Sequence, residues 1–280
     1  MFNSMMYLPS NKLVDWIKVY WFLQGSGNGE NFDKQYILPD GCATIVIVLE
    51  GQMLLETYSK CTLKKGIHII PPTLQAHNDL ISDDIYLIDI QLNPGIFYQL
   101  FGLPVEKLDD TIYSLEDLSI KMSDDLLEKI TFYKDNRFMM INELDKFFTK
   151  LFVNRQFEAN KLLYGIQKLY QNANLELFYE EQDLSKRQVQ RKVKAITGLT
   201  PKSISQMGRF YNILENMKNN RMNIDFSDLA LTNMYVDQSH FIKDFKAFSK
   251  CTPKQFLVEQ ENYLQYKAIK KNEVYDYLIC

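Results

Sequence analysis

The sequence predicts an α+β fold, with a β-barrel or sandwich and a few helices in the first half and only helices in the second. Short apolar segments broken by Gly and Pro are typical of strands, and they fill the first half of the chain. Amphipathic segments with recognisable caps are typical of helices, and they fill the second half. A length of 280 residues suggests two domains. We place them at 1–157 and 158–280.

Strands account for most of the chain up to residue 92. Pro39-Asp40-Gly41 predicts a turn, because Pro fixes φ and Gly permits the chain to reverse. A β-branched run, typical of a strand buried on both faces, follows this turn. Gly51-Gln52 and Pro71-Pro72 separate the later strands. The predicted strands cover residues 16–23, 43–49, 53–58, 67–70 and 85–92.

Residues 94–156 change to helical patterns. Pro94 opens a short helix and Gly102 closes it, and two further helices are predicted within residues 122–156. The second of these carries an apolar stripe at helical spacing, formed by Met140, Ile141, Leu144, Phe147, Phe148, Leu151 and Phe152. Such a stripe must be buried, either against the barrel of its own chain or in a dimer interface.

Residues 160–220 predict a first helical motif and the helix that follows it. Ser185 is a clear N-cap, because its hydroxyl can accept a bond from a free N–H of the first helical turn. The helix that it begins has Val189, Val193 and Ile196 on one face and basic and amide side chains on the other. The other helices of this region are predicted over Lys161–Asn172, over Leu175–Gln182 and, as a long connection, over residues 201–220.

Residues 225–256 predict a second motif of the same kind. Asp225 or Ser227 can cap a short helix, and Asp237 or Ser239 can cap the next one after a tight turn. The second helix has an apolar face, formed by Phe241, Ile242, Phe245 and Phe248, and a polar, cationic face. Two short helices joined in this way are typical of a helix-turn-helix, whose second helix fits the DNA major groove. The simpler alternative is a helical hairpin with a solvated charged face.

The charge is divided between the two halves in the way that DNA binding requires. Residues 1–159 hold 14 Lys and Arg against 22 Asp and Glu, a net charge of −8. Residues 160–260 hold 15 against 10, a net charge of +5. Because salt screens distant charges, phosphates respond to the local charge and not to the net charge of −3 for the whole chain.

Polar residues on the two second helices are the candidate DNA contacts. Arg and Lys suit guanine and Gln suits adenine, which favours Gln190, Arg191, Gln238 and Lys243 for base edges. Lys186, Lys194 and Lys246 are expected to hold phosphates. The full candidate set is Lys186, Arg187, Gln188, Gln190, Arg191, Lys194, Gln238, Ser239, His240, Lys243 and Lys246.

The carboxy-terminal segment DLALTNMYVDQSHFIKDFKAFSKCTPKQF resembles the signature of the AraC family of bacterial transcription regulators, in particular through DQSHF (Asp237 to Phe241) and TPKQF (Thr252 to Phe256). TGLTP (Thr197 to Pro201) resembles the family's turn between its two motifs. The resemblance implies two helix-turn-helix motifs joined by a long helix. The chain departs from the family at Met234 and Asp183, where the family has Gly in the turns, and at Tyr179, where it has Ala.

A second resemblance covers roughly residues 7 to 118. LPDG (Leu38 to Gly41) and PGIFYQLFGLP (Pro94 to Pro104) are similar to the amino-terminal domain on one branch of AraC-type regulators. In arabinose-type members this domain is a cupin-like barrel that binds a small effector and dimerises. The resemblance therefore implies a transcription regulator with double-stranded DNA as a partner; we expect an activator, which would also contact RNA polymerase, and a repressor stays open. Its further partners are expected to be a small-molecule effector, a second copy of the chain and RNA polymerase.

The first half offers aromatic and histidine candidates for an effector site: Trp16, Trp21, Tyr36, His77 and Tyr86. The chain's three histidines, His68, His77 and His240, do not form the cluster that a metal-binding cupin needs, so we expect no metal and no other cofactor. Nucleophile, phosphate-loop and HExxH motifs are absent, which argues against an enzyme. A cupin-like enzyme with an accessory helical half is the less favoured alternative. A regulator controlled by a protein partner, without an effector, stays open.

The composition favours a cytoplasmic protein. No run of eighteen apolar residues occurs, so no membrane span and no membrane partner are expected. The amino terminus lacks the basic start and the apolar run of a signal peptide. The four cysteines are scattered, without a CxxC pair, as expected of reduced thiols in the cytosol.

Overall fold

The computed structural model describes residues 2–56, 61–108, 112–114, 124–153, 161–219, 224–259, 263 and 274–275. Two antiparallel sheets form the first half, and helices form the second, so the predicted α+β fold class is confirmed. The expected boundary between residues 157 and 158 lies outside the described ranges.

The amino-terminal half is built from two sheets. Its strands are β1 (Asn3–Tyr7), β2 (Ile17–Gln24), β3 (Phe32–Ile37), β4 (Thr44–Glu50), β5 (Met53–Leu55), β6 (Cys61–Leu63), β7 (Gly66–Ile70), β8 (His77–Ser82), β9 (Tyr86–Leu92) and β10 (Tyr113–Ser114). One further short strand, β11 (Val274–Tyr275), comes from the far end of the chain and pairs in parallel with β1. The strand orders are β10-β7-β4-β9-β2-β1-β11 and β3-β8-β5-β6.

Three α-helices and a short 3-10 turn complete this half. Their bounds are α1 (Ile96–Phe101), a 3-10 helix (Val105–Lys107), α2 (Asp124–Phe132) and α3 (Arg137–Val153). Gly102 ends α1 in the left-handed region at φ 68°, where its N–H donates to the Tyr98 carbonyl, as expected of a glycine that closes a helix.

The carboxy-terminal half contains seven helices within the described ranges. They are α4 (Lys161–Asn172), α5 (Leu175–Glu180), α6 (Lys186–Thr197), α7 (Pro201–Asn219), α8 (Phe226–Thr232), α9 (Gln238–Ser249) and α10 (Pro253–Glu259). The pairs α5–α6 and α8–α9 are the two predicted motifs, and α7 is the long connection between them.

The apolar stripe on α3 packs inside its own chain. Met140, Ile141, Leu144 and Phe148 are fully buried in the same cluster as the strands of the large sheet. Trp16 stacks on the ring of Phe152 from this helix, with 4.2 Å between ring centroids. The packing alternative is therefore confirmed for five of the seven stripe residues, while Phe147 and Leu151 are half-buried at the edge of the same cluster.

One apolar core runs through both halves of the chain. The cluster that contains the strands β2, β4 and β9 also contains Ile166 of α4 and Val193 of α6. A second cluster joins Leu38 and Ala76 of the first half to Phe210 of α7. The amino-terminal half and the helices are thus held together by apolar burial, the main favourable term in folding.

Several strands were not predicted from the sequence. β1, β3, β6, β8, β10 and β11 were missed, and the predicted effector contact His77 begins strand β8. The strand predicted at 53–58 ends at Leu55, and the helix predicted to reach Gln182 ends at Glu180.

Candidate nucleic-acid interface and internal cavity

A reciprocal cap fixes the start of α6. The Ser185 hydroxyl accepts a bond from the Gln188 backbone N–H at 3.4 Å, and Gln188 Oε1 accepts one from the Ser185 backbone N–H at 3.0 Å. This capping box satisfies two groups that a helix start leaves without partners. Gln188 was predicted to contact DNA, but the structure gives its side chain a capping role.

The outward face of α6 is basic. Lys186, Arg187, Gln190, Arg191 and Lys194 are all exposed, together with Lys192. The opposite face is apolar, with Val189 and Val193 at 0% exposure. One helix thus presents a cationic surface to solvent while its other side anchors it in the core, which is the arrangement that a groove-binding helix needs.

Tyr179 of the positioning helix α5 lies beside the first turns of α6. Its hydroxyl accepts a bond from Gln190 Nε2 at 3.3 Å, and Lys186 Nζ lies 5.4 Å from the centre of its ring. The larger side chain that stands where the AraC family has Ala is therefore accommodated at the surface, next to two of the predicted DNA contacts. A shallow groove runs between Tyr179, Arg191 and Lys202.

The buried face of α6 packs on the amino-terminal half. A Cβ at Gly95, just before α1, would clash with Leu163 and would lie 2.9 Å from Ile196 Cγ2. A Cβ at Gly198, just after α6, would lie 3.1 Å from Val105 Cγ1. These close approaches show that the first motif is held against the amino-terminal half.

The second motif has capped helices and a strained turn. Asp225 accepts from the Ser227 N–H at 2.7 Å to begin α8, and Asp237 accepts from the His240 N–H at 2.7 Å to begin α9. Between them Met234 adopts φ 60°, in the left-handed region. The turn thus keeps the backbone that Gly would adopt cheaply, with Met in its place.

The exposed face of α9 carries four of its five predicted contacts: Gln238, Ser239, Lys243 and Lys246. His240 differs, because its ring packs edge-on against Tyr235 at 5.2 Å and its Nε2 lies 3.8 Å from Asp244 Oδ2. Asp244 also accepts from Gln206 Nε2 of α7 at 3.0 Å. This contact network ties α9 to the connecting helix, so His240 supports the motif as well as bordering its surface.

An internal cavity lies between the two sheets of the amino-terminal half. Its volume is about 70 Å³, within about 650 Å³ of empty space that includes its opening to solvent. Its walls are apolar side chains of β2, β4, β5, β8 and β9, interrupted by polar groups. The polar lining residues are Asp40, Cys42, Thr44, Thr73, His77, Asp79, Asp89 and Gln91.

Two of the five predicted effector contacts, Trp21 and His77, line this cavity. The other three do not, and the prediction is corrected for them. Trp16 is stacked on Phe152, the Tyr86 hydroxyl donates to the Lys134 carbonyl at 3.0 Å, and Tyr36 packs against Tyr263. These three aromatic rings pack against other elements of the fold. The cavity is lined instead by the carboxyl groups of Asp79 on β8 and Asp89 on β9.

The cavity contains two carboxyl groups with unusual surroundings. Burial raises the pKa of Asp89 well above its ordinary value, and the neighbouring Asp40 raises it further, while a hydrogen bond with the Gln91 side chain and, to a smaller extent, the charge of Lys18 lower it. Burial also raises the pKa of Asp40, against the same Lys18. The thiol of Cys42 has a raised pKa for the same first reason, burial, so it is an inert packed thiol.

The described ranges contain neither a metal-binding cluster nor a membrane-spanning helix. No three His, Cys, Asp or Glu side chains there come close enough together to hold a metal ion. None of the helices described is both long enough and apolar enough to cross a membrane.

Comparison with known proteins gives one family and several structures. The family model described as "Domain of unknown function (DUF6597)" matches residues 5–114. No curated protein matches the sequence.

The chain is similar to a structure of ToxT from Vibrio cholerae, with 11% identity and a TM-score of 0.47, over 92% of this chain and 97% of that one. It is similar to wild-type ToxT from V. cholerae strain SCE256 bound to an unsaturated fatty acid, with 15% identity and a TM-score of 0.44, over 91% and 94%. It is also similar to CuxR, described as an AraC-like transcriptional activator, with 8% identity and a TM-score of 0.32, over 96% and 99%.

Proposed function

We propose that the chain is a sequence-specific transcription regulator of the AraC type, with double-stranded promoter or operator DNA as its partner. The observation that carries the proposal is α6, which is capped, exposed and basic on one face and buried on the other. Such a helix in the major groove places Arg191 and Gln190 at base edges, while Lys186 and Lys194 meet phosphates.

The second motif extends the contact along the DNA. At about 1.5 Å per residue, the 19 residues of α7 span roughly 28 Å. This length suits two recognition helices that enter successive major grooves, about one turn or ~34 Å apart. Gln238 and Lys243 of α9 would then read bases, and Lys246 would hold a phosphate.

The amino-terminal half would be the controlling part of the regulator. Its cavity supports control by a small molecule over control by a protein partner alone, because a solidly packed sandwich would offer no internal site. Its contact with α6 gives a bound molecule a physical route to the DNA-binding helices. We propose further that the regulator works in the cytoplasm as a homodimer and, as an activator, contacts RNA polymerase.

The proposal makes the chain a binding protein and not an enzyme. Support comes from Cys42, whose buried thiol lacks the lowered pKa of a nucleophile. The residues around the cavity fit recognition by charge and hydrogen bonds.

The test is binding of the full chain to labelled DNA from upstream of its own coding sequence, across a salt series and against competitor DNA. Saturable binding that survives competitor and weakens steeply with salt is expected. Arg191→Ala should weaken specific binding by ~1–3 kcal/mol and relax discrimination among operator variants. Lys12→Ala, which removes an exposed charge from the amino-terminal half, should leave binding unchanged.

Equal loss of binding to any competitor would contradict a site-specific regulator. So would an Arg191→Ala variant that discriminates among operators as the wild type does.

A further inference from the structure

Carboxyl groups are the main acidic feature of the internal cavity. Three carboxyl side chains reach it from different places, Asp40 from the turn before β4, Asp79 from β8 and Asp89 from β9. Among the described residues the lining contains no Lys or Arg, and His77 is its one basic side chain. These carboxyl groups therefore give the cavity acceptor oxygens, and a negative charge when they are ionised, that no cationic Lys or Arg side chain of the described lining neutralises.

Two of these carboxyl groups have an oxygen with no hydrogen-bond partner among the described residues. They are Oδ1 of Asp79 and Oδ1 of Asp89, while Oδ2 of Asp79 also lacks a hydrogen bond and has only an ion-pair contact. Asp79 is fully buried, and its Oδ2 lies 3.2 Å from His77 Nε2. A buried acceptor without a partner is costly, so both Oδ1 atoms mark places where a bound donor would contribute.

The charge of Lys18, which lowers the pKa of both Asp40 and Asp89, is held outside the cavity. Lys18 Nζ donates to the Tyr170 hydroxyl at 3.2 Å and lies 4.5 Å from the centre of the Tyr211 ring. Lys18 is thus engaged with the helices α4 and α7. Lys18 attracts both carboxylates. Neither Lys18 nor any residue of α4 or α7 is among the described residues that line the cavity.

The volume of the cavity limits the size of the molecule that it can bind. A volume of about 70 Å³ holds roughly five water molecules at ~10–15 Å³ each. The carboxyl groups are spread over the walls and do not gather into a metal-binding cluster within the described ranges. A molecule of a few heavy atoms, longer than a single ion, suits this space.

We propose that the cavity binds a small organic cation with several N–H donors, an alkylammonium or guanidinium compound, with Asp89 as its principal counter-ion. Asp40 and Asp79 accept further N–H bonds, and the indole of Trp21 forms an apolar wall that also attracts a cation. Only the role of this cation as the effector of a regulator rests on the proposed function. Binding of the cation to the cavity does not depend on DNA.

The surroundings of Asp40 give the cation a route to the DNA-binding helices. The Tyr170 hydroxyl of α4 donates to the Asp40 carbonyl at 2.8 Å. A cation in the cavity competes with Lys18 for the same carboxylates. It therefore weakens the pull that holds Lys18 between Tyr170 and Tyr211, at the junction of α4 with the connecting helix α7.

The test is calorimetric titration and thermal unfolding of the full chain with probes that share a four-carbon chain. n-Butylammonium and n-butylguanidinium are the cations, n-butanol is the uncharged isostere, butyrate is the anion and erythritol is the polyol. Saturable binding and a raised melting temperature are expected for a cation and not for the other three. Zn²⁺ and Mg²⁺ form a separate arm.

Asp89→Asn should weaken binding of the cation at least tenfold while the variant stays folded, because the amide keeps the shape and loses the charge. Asp33→Asn is the matched control, since Asp33 is an exposed carboxylate on β3, and it should bind as the wild type does.

Binding should also release protons. Burial raises the pKa of Asp89 and of Asp40 in the empty cavity, and a cation favours their ionised forms. The other titratable groups around them are Asp79, His77, Cys42 and Lys18, with the hydroxyls of Tyr170 and Tyr211 on the helix side. Titrations in two buffers with different ionisation enthalpies measure this release, and affinity should rise with pH.

Equal binding of n-butanol, preference for butyrate or erythritol, tight binding of the metal ions alone, or an unchanged Asp89→Asn variant would each overturn the inference. Cation binding in a chain that fails to recognise DNA would leave the cavity assignment standing and refute the proposed function. Specific DNA binding without cation binding would support the proposed function and refute the cavity assignment.

Discussion

The turn of the second helix-turn-helix motif holds Met234 at φ 60°, and this backbone yields a prediction with a definite sign. A residue with a Cβ loses about 1–2 kcal/mol in the left-handed region. Gly avoids that loss but has about 0.5–1 kcal/mol more conformational entropy to lose on folding. Met234 is half exposed (50%), so part of its side chain packs against the protein and any truncation loses those contacts. The Gly variant is therefore compared with the Ala variant and not with the wild type.

Met234→Gly should therefore be more stable than Met234→Ala by about 0.5–1 kcal/mol, the difference between these two backbone terms. Thermal unfolding of the full chain should show a melting temperature about 1–3 °C higher for the Gly variant. Both variants lack the same side chain, so its packing cancels in the comparison.

The turn of the first motif supplies an opposite control. Asp183 also stands where the AraC family has Gly, but its φ is not positive. Asp183→Gly should be less stable than Asp183→Ala by about 0.4–1 kcal/mol, because Gly only adds entropy to the unfolded chain there. Both variants lose the exposed ion pair with Lys161. The same sign at both turns, or no difference at position 234, would refute the reasoning.

Three further predictions concern packing and pH. Gly208→Ala should destabilise the chain by about 1–3 kcal/mol, since its Cβ would clash with the Tyr170 carbonyl of α4; equal melting temperatures would contradict this. Phe148→Ala should cost about 3–5 kcal/mol at every protein concentration, because the ring is buried within one chain; a concentration-dependent loss in sedimentation would indicate a dimer role. Burial raises the pKa of Asp89, so the folded chain holds a proton that the unfolded chain releases, and stability should fall as pH rises from about 4 through the folded pKa. Asp89→Asn should remove that part of the fall in melting curves between pH 4 and 8, and parallel wild-type and variant curves would contradict it.

Helices were predicted well because their signals are local. Ser185 and Asp237 mark helix starts through bonds to residues three positions away, and Gly102 and Gly198 mark helix ends. Such signals are complete within a few residues of sequence. The helical spacing of apolar and polar residues in the sequence predicts the basic face of α6. Six residues predicted on that face are exposed in the structure.

Strand β3 shows why part of the sheet could not be predicted. Phe32–Ile37 is exposed or half-buried along its length, with no alternation that would mark a strand. It is a strand because β8 pairs with it, from Phe32 opposite Ser82 to Ile37 opposite His77. A pairing between residues so far apart leaves no local signature, and β8 itself is a polar segment.

The sequence contains one signal for the cavity. Asp89 stands inside the apolar run IYLIDIQL, where a charged residue needs a partner or a function. The predicted aromatic contacts Trp16, Tyr36 and Tyr86 instead pack against other elements of the fold. Which carboxylates share one space depends on how β8, β9 and the turn at Asp40 face one another across two sheets.

The packing of α6 on the amino-terminal half bears on how such a protein can be recombined. Val189, Val193 and Ile196 belong to the same apolar cluster as the strands of the large sheet, and Gly95 and Gly198 fit the seam closely. A chimera that joined this amino-terminal half to the helices of another regulator would expose the seam or leave gaps in it. A working chimera would therefore have to take both sides of this interface from the same protein. The amino-terminal half and the helices that pack on it would be exchanged together, and not as separate domains.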